Sequence, residues 1–273
     1  MRKPALSAAV LSVALLAGCG SATDKPAGNA PSATSAPADK SGAATFDSLA
    51  KLNEAVAAKT ADVKGAHVVM KGTANSATVL EGAGDFSYAS DKIAMQMTMK
   101  VGNEDVSVRL VDNVMYLKTP EPIEPGKTWL KLDLSDPSNP LVASLGESLS
   151  SAQESDPRKI LAQLARSGQI KSAKPEELEG KKAVHYSVLV DLTKVADKDL
   201  GMSKESIAEL TKAGVKEIPV EIWVDEAALP LRVITEVPNP QAKMTVQADY
   251  TDWGKAIEVT APPAAEVAEL PKN

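Results

Sequence analysis

This chain is poor in cysteine, histidine and aromatic residues, and each scarcity removes a class of chemistry. One cysteine in 273 residues excludes an internal disulfide, and two widely separated histidines, His67 and His185, make a poor metal-ligand set. Aromatics make up only 3% of the chain, so a core must rest on aliphatic side chains and methionine. Positive charge is neither abundant nor clustered: 30 Lys+Arg stand against 36 Asp+Glu, for a formal net charge of -6. Nucleic acid is therefore not a partner, because phosphate neutralisation needs a concentrated basic footprint. No G-x-S-x-G elbow, P-loop, zinc-protease helix, EF-hand loop or CxxC pair is present, so no catalytic residue, metal site or cofactor is nominated. His67, His185, Asp249 and Asp252 read as surface, hydrogen-bonded or turn residues. Gly82-Ala83-Gly84 lies in a strand-like stretch and opens no helix, which marks a bulge or a close packing point rather than a phosphate loop.

What the sequence does contain begins with a signal-like segment, residues 1–18. Arg2 and Lys3 form a short positive region, and Ala5 to Ala17 form an apolar run too short to span a hydrocarbon core. The run ends in Leu16-Ala17-Gly18-Cys19, which resembles a bacterial lipobox. That resemblance implies cleavage before Cys19, diacylation of its sulfur, and a chain anchored at the extracytoplasmic face of the cell membrane. Two acyl chains give stable anchoring where one is marginal. The alternative is ordinary secretion with a free thiol. Residues 19–45 then read as the lipidated cysteine and a flexible tether: of the 26 residues from Gly20 to Thr45, 21 are Gly, Ala, Ser, Thr or Pro. Such a segment cannot bury enough apolar surface to offset its ordering entropy, and its reach as a coil is roughly 25–30 Å.

Residues 46–273 read as a single domain of one helix followed by many strands. Phe46, Leu49, Leu52 or Asn53, and Val56 fall at helical spacing, with Thr45 or Asp47 as the cap. From Ile93 the period changes to two. Met95, Met97 and Met99 alternate with Gln96 and Thr98, and Val106, Val108 and Leu110 alternate with Ser107 and Arg109. Asp112-Asn113 reads as a two-residue hairpin turn, which sets Leu110 opposite Met115 and Val108 opposite Leu117. One sheet face thus carries Met95, Met97, Met99, Val106, Val108, Leu110, Met115 and Leu117. Further strands are expected at 67–73, 78–88, 128–133, 170–174, 183–191, 217–225, 231–237 and 243–252. Helices are expected after Asp156-Pro157 and Ser203, with a further one over 141–149. Roughly eleven strands in hairpin succession with a few helices make an α+β architecture. Two readings of the methionine face stand: helices cover it and methionine fills the gaps, or the face encloses an apolar cavity for acyl chains. The stretch Pro120–Gly126 reads as a long connection or as the stiff rim of such a cavity.

Several short motifs point in one direction. Gly126-Lys127-Thr128-Trp129-Leu130-Lys131-Leu132-Asp133, Glu221-Ile222-Trp223-Val224-Asp225, Leu229-Pro230-Leu231-Arg232-Val233 and Tyr250-Thr251-Asp252-Trp253-Gly254 with Pro262-Pro263, together with the lipobox, resemble the actinobacterial LppX/LprA/LprF/LprG lipoproteins, relatives of the LolA/LolB lipoprotein carriers. The resemblance implies a strongly bent antiparallel sheet with helices on its concave side and a hydrophobic pocket. It further implies a lipid or glycolipid ligand carried without catalysis. The expected partners are that ligand, the membrane reached through the anchor, and an envelope transporter. The alternative is an anchored, non-catalytic protein-binding or regulatory module with a filled core.

Overall fold

The computed structural model describes residues 45–88, 94–101, 104–136, 142, 157–195, 204–238 and 243–269. The signal-like segment, Cys19 and the tether up to residue 44 lie outside the described residues. So do Asp156, Ser203 and, apart from Val142, the helix expected over 141–149.

Helix α1 (Leu49–Thr60) precedes six strands: β1 (Gly65–Ala74), β2 (Ala77–Ser87), β3 (Ala94–Val101), β4 (Glu104–Val111), β5 (Val114–Lys118) and β6 (Trp129–Asp133). Helix α2 (Pro157–Ser167) leads into β7 (Gly168–Leu178) and β8 (Lys181–Asp191), and α3 (Lys204–Lys212) into β9 (Glu217–Asp225), β10 (Pro230–Val237), β11 (Met244–Thr251) and the short β12 (Val267–Glu269). All twelve strands belong to one sheet, in the order β12-β6-β5-β4-β3-β2-β1-β11-β10-β9-β8-β7. β1 to β6 spread outward by antiparallel pairing, and β7 to β11 return until β11 pairs with β1. The sheet is curved and does not close, which makes the molecule an α+β half-barrel as expected.

Local chemistry explains the register. Asp112 and Asn113 both adopt positive φ, 50° and 66°, the backbone of a primed hairpin turn that short polar side chains tolerate. The turn pairs Leu110 with Met115 and Val108 with Leu117, the expected register. At α1 the cap is Ser48, whose hydroxyl accepts the Lys51 N–H, rather than Thr45 or Asp47. Asp47 instead forms an ion pair with Lys51 at 2.9 Å. The frame is set by packing: with Leu49 as the first helical residue, Leu49, Leu52 and Val56 all turn inward. Among the described residues the sheet has one strand beyond the eleven expected. β12 pairs in parallel with β6, and its three residues are too few to show alternation.

Half of the helix-bearing face is closely filled. Val184, Tyr186, Val188 and Val190 of β8 and Ile218, Val220, Ile222 and Val224 of β9 are buried in one cluster with Leu49, Leu52 and Val56 of α1, Leu161 and Leu164 of α2, and Leu210 of α3. The Tyr186 hydroxyl accepts the Phe46 N–H at 3.0 Å. Burial raises the pKa of that hydroxyl, and the Phe46 hydrogen bond works the other way.

The opposite face is crossed by the C-terminal segment. β11 lies beside β1 near the middle of the sheet, whereas β12 lies beyond β6 at its edge. The connection passes over β4, where the Arg109 guanidinium donates to the Thr260 carbonyl at 3.1 Å. Val259 is buried along this path, and Thr128 donates its N–H to the Glu266 carbonyl at 3.0 Å. The Pro120–Gly126 stretch forms a connection between β5 and β6 that folds on itself through a Glu124–Lys127 bridge and leaves Ile123 exposed.

Candidate functional site

The eight residues singled out from the alternation lie in three cross-strand rows on one sheet face. Met95 pairs with Leu110 and Leu110 with Met115; Met97 pairs with Val108 and Val108 with Leu117; Met99 pairs with Val106. Five of them, Met95, Met97, Val108, Leu110 and Met115, are buried in one apolar cluster, and Met99, Val106 and Leu117 pack against it half-buried. The face is wider than the alternation of β3 to β5 alone revealed. Val68, Met70, Phe86, Leu130, Leu132 and Tyr250 join the same cluster, and Val142 is buried in it. The sequence signals for these residues were the alternation of Leu130 and Leu132 with Trp129 and Lys131, and the pairing of β2 with β3, which a single-strand reading does not supply. Val233 packs against both this cluster and the helix-covered one, so the two halves share one continuous apolar side.

Two glycines shape the face. Gly82 pairs with Met99 and Gly84 with Met97, so both occupy positions in the apolar rows. A Cβ on Gly84 would lie 2.4 Å from the Gln96 carbonyl oxygen and 2.9 Å from the Met97 Cα, and one on Gly82 would lie 2.9 Å from the Met99 Cγ. β2 and β3 therefore approach closely here, the role expected of strand glycines at a tight bend.

Burial changes along the strands. The row Phe86–Met95–Leu110–Met115–Leu132 is at most 9% exposed throughout. The next row is buried at Val68, Met97 and Val108 and half-buried at Leu117 and Leu130. In the third, Met70, Met99 and Val106 are all half-buried. The face thus opens toward the β1–β2 hairpin, where Val79 is exposed.

The other face is polar, because the residues between the methionines point there. Asp85 accepts from Gln96 at 2.9 Å and bonds His67 at 2.7 Å. Burial works to raise the Asp85 pKa, but the hydrogen bonds from Gln96 and His67 outweigh it and hold the carboxyl below its ordinary value. In the other half of the sheet His185 stacks on Trp223 and lies between Glu176 and Glu221, at 2.9 and 2.7 Å. The Trp223 indole also donates to Glu176 and is the largest cause of its lowered pKa. Trp129 lies under Arg109, and Trp253 donates to the Pro230 carbonyl while stacking on Tyr250. The tryptophans of the sequence motifs are thus parts of the scaffold. Among the described residues, no group of three or more His, Cys, Asp or Glu is placed to hold a metal ion, and no helix is long and apolar enough to cross a membrane.

Fold and site together define an open α+β half-barrel with a methionine-rich apolar inner side and an outer side that is polar over β2 to β4 and carries a small apolar cluster of Ala183, Trp223 and Leu231. No protein-family model matches the chain. An uncharacterized 31.2 kDa protein of Streptomyces griseus, from the rplA-rplJ intergenic region, is 24% identical over 198 residues, and the match covers 70% of this chain. The chain spans 65% of that relative's length. The solved structures to which it is similar include LprF from Mycobacterium bovis, at 14% identity over 78% of this chain and 96% of that one, with a TM-score of 0.49. The LolA superfamily protein NE2245 from Nitrosomonas europaea matches at 10% identity over 79% of this chain and 95% of that one, with a TM-score of 0.34. MucB in complex with MucA(peri) matches at 14% identity over 79% of this chain and 57% of that one, with a TM-score of 0.36. LprF is also among the names of the group that the sequence motifs resemble.

Proposed function

We propose that this chain is a cell-envelope lipoprotein, anchored through Cys19 at the extracytoplasmic face of the membrane, that binds and carries a lipid or glycolipid by its acyl chains. The observation that carries this reading is the apolar face of Met95, Met97, Met99, Val106, Val108, Leu110, Met115 and Leu117, which passes from buried to half-buried along the strands. Methionine is flexible and polarizable, and it repacks around partners of irregular shape. A buried methylene contributes about 0.8 kcal/mol, so ten of them supply roughly 8 kcal/mol before ordering costs, enough for micromolar binding. The half-buried end at Met70, Met99 and Val106 is where a chain enters, and an envelope transporter is the partner that delivers or receives it. No step of this process makes or breaks a bond.

A second reading rests on the burial itself. Five of the eight positions are at most 9% exposed, as they would be in a filled core whose outer surface binds a protein. Native mass spectrometry of the purified chain, followed by organic extraction, separates the two. Carriage predicts co-purified lipid or uptake of added glycolipid at a defined stoichiometry. An apoprotein that extracts no lipid and takes up none would establish the filled core.

A further inference from the structure

The outer face holds a second site, whose polar side chains alternation places on the opposite side of β3 and β4 from the methionine row, though Met97 and Val108 of that row also contribute to its lining. A cavity of about 360 Å³ lies there, lined among others by His67, Asp85, Gln96, Arg109, Lys118 and Trp129. Its charges are unevenly partnered. Both oxygens of Asp85 are engaged, one by His67 at 2.7 Å and one by Gln96 at 2.9 Å. Arg109 and Lys118, by contrast, converge on a single ring: the guanidinium lies 5.0 Å and the ammonium 5.8 Å from the Trp129 centroid. Among the described residues, no carboxylate forms an ion pair with either. Two cations held over one buried indole repel each other, and the ring quadrupole offsets only part of that cost. The arrangement is also fixed in advance. Trp129 is 6% exposed, and the Arg109 guanidinium is pinned to the Thr260 carbonyl of the crossing segment. The hydroxyls of Thr98 and Ser107 lie 3.1 Å apart and line the same cavity, with Ser107 paired to Lys118 across the sheet.

We propose that this cavity binds an anionic polyol, with a phosphate group between Arg109, Lys118 and the two hydroxyls, and with the hydroxyl groups of the ligand toward Gln96 and Asp85. A guanidinium and an ammonium together suit a phosphate oxyanion, and charge-assisted hydrogen bonds are the strong ones in such a site. A negative net charge of the whole chain disfavours indiscriminate anion binding, so recognition depends on these two cations. A free polyol phosphate and a phospholipid headgroup present the same chemistry.

The test titrates the purified full chain with glycerol 3-phosphate by calorimetry, and measures its co-flotation with phosphatidylcholine vesicles with and without phosphatidylglycerol. Saturable binding is expected, weakened roughly tenfold in Arg109→Gln and in Lys118→Gln, as the loss of one charge-assisted contact dictates. Lys131→Gln should bind as the parent chain does, since Lys131 pairs with Glu269 outside the cavity. Binding of glycerol 3-phosphate alone identifies a free polyol phosphate as the ligand; Arg109-dependent flotation only with phosphatidylglycerol identifies a headgroup. Circular dichroism checks that each variant is folded. Lys118 is exposed, and its variant carries the test alone if Arg109→Gln unfolds. Absence of saturable binding in both formats, or binding unchanged in folded Arg109→Gln and Lys118→Gln, overturns the proposal.

Discussion

Gly84 shows how a single missing side chain sets the geometry of the apolar face. Alanine there would bring its Cβ within 2.4 Å of the Gln96 carbonyl oxygen, an obstacle that only backbone movement relieves. Gly84→Ala is expected to lower stability by about 1–3 kcal/mol, as overpacking commonly does, measured as a fall in the urea midpoint; an unchanged midpoint would mean that β2 and β3 do not approach so closely. Asp85, one residue on, gives a pH-dependent prediction. Its folded pKa is depressed, so its contribution to stability is complete above the unfolded value of about 3.9 and disappears as pH falls through the folded value. Asp85→Asn should therefore reduce stability at neutral pH, and the difference from the parent should shrink in acid below that folded value. An Asn variant equally stable at neutral pH would contradict the sign. His67 and Gln96, the partners responsible, alternate with apolar neighbours in sequence, which marks them as outward-facing but says nothing of the carboxylate between them.

At the scale of elements, legibility followed the length of the pattern. β4 and β5 could be paired residue by residue from the sequence because their alternation and the Asp112-Asn113 turn constrain each other, whereas for β3 the alternation gave the face and not the partners. The turn itself can be tested: Asn113→Gly should be neutral or stabilising by up to about 1 kcal/mol at positive φ, whereas Asn113→Val should cost about 1–2 kcal/mol. Equal thermal midpoints for the two variants would show that the turn does not set the register. Where pattern is short or ambiguous, reading stops. β12 has three residues and owes its place to the crossing segment that delivers it beside β6. At α1 three capping residues, Thr45, Asp47 and Ser48, stand almost side by side, and only tertiary burial of Leu49, Leu52 and Val56 selects Ser48. The membership of Val68, Phe86 and Tyr250 in the methionine cluster depends on pairings between distant strands, which no local period carries.

The whole molecule divides its apolar side unevenly. α1, α2 and α3 pack over the β8–β9 half, while the β2–β6 half carries the methionines and becomes progressively less buried toward the β1–β2 hairpin. In the proposed carrier, the helix-covered half would hold the curvature and the methionine-rich half would receive the cargo. The lone cysteine, outside the described residues, then serves as the attachment point of the proposed anchor. Light-induced crosslinking with a diazirine-bearing fatty acid tests this assignment most directly. Carriage on the methionine face predicts saturable adducts mapping to residues 94–118, lost or strongly reduced in Met99→Asp while the fold persists. Adducts confined to the outer face or the helices, or labelling unchanged in folded Met99→Asp, would contradict it.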